Sequence, residues 1–369
     1  MGDKAVIGVV GLGTMGLGIA QVYAAAGFAV VTTDFHGPAR DSAVARMAAG
    51  LDARVAAGKL TGAAREATLA GLTVVADIGG MAEAALVIEA IAEDLAAKRA
   101  LFGALEEGGA VLATNTSSLS VGAVAEGLTW PERVVGLHFF NPAPAMKLVE
   151  LVGHAGSAAG AMGLARQVTE AAGKVVVACP DRPGFIVNRC ARPYYGEALA
   201  LLEEGRSAAE IDGAMLAAGY KLGPFALIDL IGADINLAAT EGIYRAMGRH
   251  PRYWPFEALK AQVATGDLGR KSGRGFVYPD EVSAARDDAV ALRIEAALIN
   301  EAGWLAGEGV DRMGIDTAMR LGLNFPRGPF EALRGYGKDR ILATLRDLEV
   351  KAPQHLKTRY LAAPYLEIA

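Results

Sequence analysis

The sequence predicts an α/β domain built on a doubly wound parallel sheet, followed by an all-α region of two repeated units. Three observations carry that reading. Short apolar runs of strand length alternate with amphipathic stretches from Ala5 to about Ala178. A Gly-x-Gly-x-x-Gly stretch, Gly11 to Gly16, sits between the first such run and the first helical stretch. From Asp181 onward the apolar spacing is helical almost throughout, and a block of residues recurs 104 positions later. These features place domains at 1–180, 181–280 and 281–369.

Ala5 to Val10 is β-branched and wholly apolar, which suits a strand buried on both faces. Thr14 to Ala26 follows as a helix, and Ala29 to Thr33 as a second strand ending at Asp34. Pro38 to Ala57 reads as a helix with proline near its start and Gly58 past its end, and Lys59 to Ala70 as a shorter one. Leu72–Ala76, Leu86–Ile91 and Ala110–Thr114 are strand-length runs, with the amphipathic Asp94–Glu107 before the last of them. Arg133–Phe140 continues the alternation, and Lys147–Val152 and Lys174–Ala178 flank a helix near Ala158–Ala172. In the helical part, Ile211-Asp212-x-Ala214-Met215 and Gly223-Pro224-Phe225 reappear as Ile315-Asp316-x-Ala318-Met319 and Gly328-Pro329-Phe330. The loop Gly269-Arg270-Lys271-Ser272-Gly273-Arg274-Gly275 is the main interruption.

The first stretch is the shape of a dinucleotide site. Gly11, Gly13 and Gly16 allow a tight turn, a close approach of bare backbone to a pyrophosphate, and close helix–strand packing. A helix opening at Thr14 and Met15 aims its N–H groups and positive end at the phosphates. Asp34 at the end of the second strand can accept hydrogen bonds from both ribose hydroxyls and would repel a 2′-phosphate, so the cofactor expected is NAD, not NADP. The uncharged run 5–33 after Lys4 has the outline of a signal peptide, but six glycines within it and a second strand-like run argue against one.

Composition narrows the rest. No uninterrupted apolar run reaches the roughly 18 residues of a membrane span, and a cytoplasmic protein is expected. Cys179 and Cys190 have no metal-ligand spacing to the five histidines, so neither disulfides nor a metal site is indicated. A net charge of −5 argues against nucleic-acid binding.

Open α/β sheets bind ligands at the carboxyl ends of their strands. Glu93, Ser117 and His138 stand just past or at the ends of the fourth, fifth and sixth strands, facing the nicotinamide end of a cleft. Asn141-Pro142-Ala143-Pro144 then turns the chain back, and a return of that length can set Glu150 opposite His138. A carboxylate beside an imidazole fixes its tautomer and stabilises the imidazolium formed on accepting a proton. Oxidation of a secondary alcohol by NAD needs such a base.

With these motifs in order, the sequence resembles the L-3-hydroxyacyl-CoA dehydrogenase family from Lys4 to about Tyr278. The resemblance runs through Gly11-Leu12-Gly13-Thr14-Met15-Gly16, Glu89-Ala90-Ile91-Ala92-Glu93, Asn115-Thr116-Ser117-Ser118, His138-Phe139-Phe140-Asn141-Pro142, Lys147-Leu148-Val149-Glu150 and Pro183-Gly184-Phe185-Ile186-Val187-Asn188-Arg189. It implies that His138 is the general base, Glu150 its partner, and Ser117 and Asn188 the groups that hold the reacting oxygens. It also implies NAD contacts at Asp34, Glu93, Lys98, Ser117, Asn141 and Lys271, and an acyl-CoA substrate. The duplicated helical unit, with Gly322 to Pro329, is similar to that of bacterial 3-hydroxyadipyl- and 3-hydroxybutyryl-CoA dehydrogenases. The stretch Arg54 to Arg65 departs from the animal enzymes, leaving Arg54, Lys59 and Arg65 as candidate CoA contacts beside an ordinary solvated basic face.

Two other readings remain open. A 3-hydroxyisobutyrate or 6-phosphogluconate type dehydrogenase shares the layout but relies on a lysine where Asn188 sits beside Arg189, and a crystallin-like relative would bind NAD without catalysis. A separate enoyl-CoA hydratase is the expected pathway partner. The second copy, in which Asn188 maps to Leu292 and Arg189 to Arg293, is expected to be structural. Packed on the first copy, it would leave the chain monomeric or weakly dimeric.

Overall fold

In the computed structural model, which describes residues 5–368, eight strands form one sheet: β1 (Ile7–Val10), β2 (Val30–Thr33), β3 (Leu72–Val74), β4 (Leu86–Glu89), β5 (Val111–Thr114), β6 (Val134–Phe139), β7 (Leu148–Gly153) and β8 (Val175–Pro180). Lys4 lies outside the described residues. The strand order is β3-β2-β1-β4-β5-β6-β7-β8, and β1 lies between β2 and β4 with Ile7 level with Val30 and Leu86. The order reverses at β1, so its carboxyl end is a topological switch point.

The sheet is parallel from β3 to β6 but not throughout: the doubly wound part matches the parallel expectation, and the return after residues 141–144 that sets Glu150 opposite His138 reverses β7. β6 and β7 are antiparallel, and β8 runs parallel to β7. The reason is the connection: the short turn after β6 has no crossover helix, and only antiparallel neighbours can be joined so tightly.

Six helices flank the strands: α1 (Thr14–Ala25), α2 (Gly37–Ala56), α3 (Gly62–Ala70), α4 (Leu95–Leu105), α5 (Val121–Ala125) and α6 (Ala159–Ala171). Ile19 and Tyr23 of α1, Met47 and Leu51 of α2, and Ala165 and Val168 of α6 bury themselves in one cluster with strand residues such as Val9, Ile88 and Leu137. The Tyr23 hydroxyl meets Thr169 Oγ1 at 2.7 Å, tying α1 to α6 within that core.

The chain divides into two compact units between Arg182 and Pro183. The second unit is helical: α7 (Val187–Glu203), α8 (Ala208–Ala217), α9 (Pro224–Ile231), α10 (Ala233–Ala246), α11 (Glu257–Thr265), α12 (Asp288–Gly307), α13 (Arg312–Gly322), α14 (Pro329–Tyr336), α15 (Lys338–Lys351) and α16 (Pro364–Ile368). The series α7-α8-α9-α10 is matched by α12-α13-α14-α15. Asp212 in α8 accepts from the N–H groups of Phe225 and Ala226, and Asp316 in α13 does the same for Phe330 and Glu331. That shared device explains why the Ile-Asp and Gly-Pro-Phe signatures recur together: the buried Asp caps the start of the next helix.

The two copies hold each other by reciprocal ion pairs between α7 and α12. Arg189 reaches Glu301 at 2.7 Å and Glu308 at 2.8 Å, while Arg293 reaches Glu197 at 2.7 Å and Glu204 at 2.6 Å. Glu301 also pairs with Arg252 and Glu197 with Arg359. Each residue has its counterpart across the interface, which is the pattern of a twofold contact made within one chain.

Candidate active site

Gly11 has φ +96, and a Cβ there would stand 2.6 Å from the Ala90 carbonyl oxygen. At Gly16 a Cβ would lie 1.7 Å from the Gly11 carbonyl oxygen, so the start of α1 reaches the loop only without a side chain. Gly13 differs, because nothing lies within 4 Å of the position its Cβ would take. The N-terminus of α1, where Thr14 and Met15 begin the helix, has no side-chain cap and no acidic residue in its first turn. An open approach to uncapped N–H groups fits an anionic pyrophosphate.

Asp34 is half-buried past the end of β2. Its Oδ2 accepts from the Leu12 N–H at 2.6 Å and its Oδ1 from the His36 N–H at 2.8 Å, which fixes the carboxylate beside the glycine loop. Two cations that sequence reasoning left without a role hold the same corner. Arg40 donates to the Asp34 carbonyl and Arg46 to the Leu12 carbonyl.

His138 and Glu150 are cross-strand partners in β6 and β7. Their side chains meet with Nδ1 to Oε2 at 2.6 Å, His138 being 6% exposed and Glu150 fully buried. The Nδ1 proton is therefore donated to the carboxylate, and the tautomer puts the basic lone pair on Nε2. Phe140 stacks obliquely on the imidazole, with centroids 4.5 Å apart. Asn115 accepts from the Phe139 N–H at 2.9 Å and so binds the end of β5 to the end of β6. Lys174 donates to the carbonyls of Ala143 and Met146, pinning the turn between β6 and β7, and its burial pushes its pKa down to about 8.

Ser117 is exposed beyond β5, next to the strand that carries His138, and Asn141 is exposed in the turn after it. Glu93 is partly exposed. Burial raises its pKa, but hydrogen bonds from Thr116 and Ser118 and the charge of Lys98 outweigh this and keep the carboxyl below its ordinary range. Lys98 is 1% exposed, with Nζ 2.6 Å from Glu89 and 3.2 Å from Glu93. Glu89, buried at the end of β4, also accepts from Thr114 and from the Ile91 N–H. Sequence reasoning gave Glu89 no role, although a carboxylate closing an apolar strand nine residues before a lysine was a readable signal.

In the second unit, Asn188 stands in the first turn of α7, and Lys271 lies in a short 3₁₀ turn with Nζ 2.5 Å from Asp234. Of the candidate CoA contacts, Arg65 is engaged by Asp52 and Glu66, while Arg54 and Lys59 are exposed. No helix among the described residues is long and apolar enough to cross a membrane.

Comparison with known proteins follows the same division. Residues 6–182 match the family model for the 3-hydroxyacyl-CoA dehydrogenase NAD binding domain. The C-terminal domain model of the same family matches twice, over 184–278 and 290–367. The chain is 46% identical over 291 residues to a 3-hydroxyadipyl-CoA dehydrogenase of Escherichia coli, covering 78% of this chain and 61% of that protein. It is 38% identical to the human mitochondrial hydroxyacyl-coenzyme A dehydrogenase, over 73% of this chain and 89% of that one. The crystal structure of a 3-hydroxybutyryl-CoA dehydrogenase from Escherichia coli superposes with a TM-score of 0.91 at 34% identity, covering 99% of this chain and 98% of that one.

Proposed function

The chain belongs to the 3-hydroxyacyl-CoA dehydrogenase family, and we propose that it oxidises a (3S)-3-hydroxyacyl-CoA to the 3-oxoacyl-CoA. The observation that carries this is the buried His138–Glu150 pair, at 2.6 Å across β6 and β7, in the domain that holds the cofactor. His138 takes the hydroxyl proton on Nε2, and Glu150 stabilises the imidazolium as it forms. When bound, NAD supplies the chemistry of accepting the hydride from C3.

The remaining residues position the reactants. Ser117 and Asn188 are the groups assigned to the substrate's reacting oxygens. Gly11, Gly13, Thr14, Met15 and Gly16 present backbone to the pyrophosphate, and Asp34 takes the adenosine ribose. Glu93, Lys98, Asn141 and Lys271 complete the cofactor contacts, Lys98 chiefly by holding Glu93 in place. A separate enoyl-CoA hydratase is its partner in the pathway, the protein itself acts in the cytoplasm, and the domains run 1–180, 181–280 and 281–369. The second helical copy occupies the place of a partner subunit, so the chain acts as a monomer or weak dimer.

Following absorbance at the NADH band with acetoacetyl-CoA and with 3-hydroxyisobutyrate tests the reading. Turnover of the CoA ester is expected. Turnover of 3-hydroxyisobutyrate alone, or of neither, would sink it.

A further inference from the structure

Among the described residues four arginines are buried: Arg189, Arg192, Arg252 and Arg359. Three of them face a carboxylate. Arg189 and Arg252 lie 2.7 and 2.9 Å from Glu301, and Arg359 lies 3.1 Å from Glu197. Arg192, 5% exposed on α7, has none. Its protein partners are neutral: Nε donates to the Asn188 carbonyl at 3.1 Å, and Nη1 to the Asn236 carbonyl at 3.1 Å and to Thr240 Oγ1 at 3.0 Å. Nη2 has no hydrogen-bond partner among the described residues. A guanidinium does not shed its proton, so its charge stays in the interior with no counter-ion to offset the lost hydration.

A second observation lies beside it. Asn236 is 1% exposed, and neither its side-chain oxygen nor its side-chain nitrogen has a partner. Buried amides are ordinarily satisfied, so this one has a donor and an acceptor to offer a group from outside the chain.

The repeat supplies a control. At the same places in the second copy, Asn188 and Arg192 of α7 become Leu292 and Ala296 of α12. Asn236 and Thr240 of α10 become Ile341 and Leu345 of α15. Ala296, Ile341 and Leu345 are fully or almost fully buried in one apolar cluster, with Leu292 packed against it. The same helix pair therefore packs without any polar group at this site. Arg192, Asn236 and Thr240 are not required by the fold of the unit.

The geometry points to Arg192, with the Asn236 amide, as the receiver of a carboxylate at the far end of the substrate's acyl chain, making the preferred substrate a dicarboxylic 3-hydroxyacyl thioester. This rests on the dehydrogenase reading above and extends it to the chemistry of the tail. Asn188 and Arg192 are one helical turn apart, ~6 Å along the axis, and the Nε bond to the Asn188 carbonyl folds the guanidinium back toward that turn. A chain of adipyl length carries its carboxylate on the third carbon beyond the oxygen-bearing one, a separation on the scale of one turn. A guanidinium takes a carboxylate through paired N–H donors, which a methyl-ended chain cannot match.

The test compares kcat/KM for 3-oxoadipyl-CoA with that for 3-oxohexanoyl-CoA, with NADH. The wild-type protein should favour the dicarboxylic ester. Arg192→Met should lower that ratio by about 10²-fold, mainly through KM, and Arg192→Lys should lower it less. Asn236→Leu should lower it in the same direction. Folded variants in which both esters lose activity equally would mark Arg192 as a helix staple and overturn the assignment. Inhibition of the wild type by the unreactive adipyl-CoA and hexanoyl-CoA is a readout independent of any variant: tighter inhibition by hexanoyl-CoA also overturns it. If the wild type reduces neither 3-oxo ester, the dehydrogenase reading itself fails. If it reduces the hexanoyl ester as well as the adipyl one, only the tail assignment fails.

Discussion

In the proposed reaction His138 serves as the base: Glu150 accepts the hydrogen bond from its Nδ1–H, which leaves Nε2 to accept the substrate's proton. His138→Gln should therefore lower kcat by about 10² to 10⁴ while the affinity for NAD changes little, since the loss falls on the chemical step. Glu150→Gln should act in the same direction and shift the pH profile of kcat. A His138→Gln enzyme with wild-type kcat at neutral pH would remove the dyad from the mechanism. His250 gives a second, structural expectation. Burial, aided by Arg252, pushes its pKa from 6.5 down to about 4, and its Nδ1 accepts from the Arg252 N–H. A group whose pKa is lower folded than unfolded gives stability that is present above pH 6.5 and is lost as pH falls toward 4. Asn can keep the acceptor without the titration, so His250→Asn should flatten the loss of melting temperature across that window, and an unchanged slope would count against it. At this scale the meeting of His138 and Glu150 was legible, because strand-end position and turn length are local facts. Glu89, Lys98 and Lys174 were not read as a set, since each acquires its meaning from a partner on another element.

Elements follow the sequence closely where one periodicity governs them. Asp34 falls just past β2 and His138 inside β6 as the apolar runs imply, and the reversal at β7 was visible in the shortness of the turn before it. The recurring Ile-Asp and Gly-Pro-Phe signatures also announced the α7–α10 and α12–α15 series. What joins the two series could not be read. The partners of Arg189 lie 112 and 119 residues away, and nothing in the local pattern of either helix names the other. The reciprocity of those pairs has an energetic consequence. Glu197 is the buried counter-ion of Arg359 and shares Arg293, while Glu301 is the counter-ion of Arg252 and shares Arg189. Removing either carboxylate leaves a buried guanidinium unpaired, at a cost of about 3 kcal/mol. Glu197→Gln and Glu301→Gln should thus lower the denaturation midpoint by similar amounts. A large effect at Glu197 with none at Glu301 would show that the second copy does not share in holding the unit together.

For the whole molecule, the question is what the second helical copy replaces. α12 lies against α7, and the residues of α7 that meet it include Arg189 and Glu197, both fully buried. A self-complementary surface of this kind, with each pair repeated in reverse, is what two identical subunits present to each other. Tethering the second copy in the same chain keeps it at high effective concentration, so it should outcompete another molecule for that face. The 369-residue chain is therefore expected to sediment as a monomer or a weakly associating species. Truncation after Tyr278 removes α12 to α16 and leaves Arg189 and Glu197 without the charges that neutralise them. The shortened chain should either pair with itself through α7 or aggregate, because a buried charge network cannot be left bare at little cost. Sedimentation of both forms decides the matter. A dimer of the 369-residue chain built on α7, or a truncated chain that stays soluble and monomeric, would show that the second copy does not stand in the partner's place.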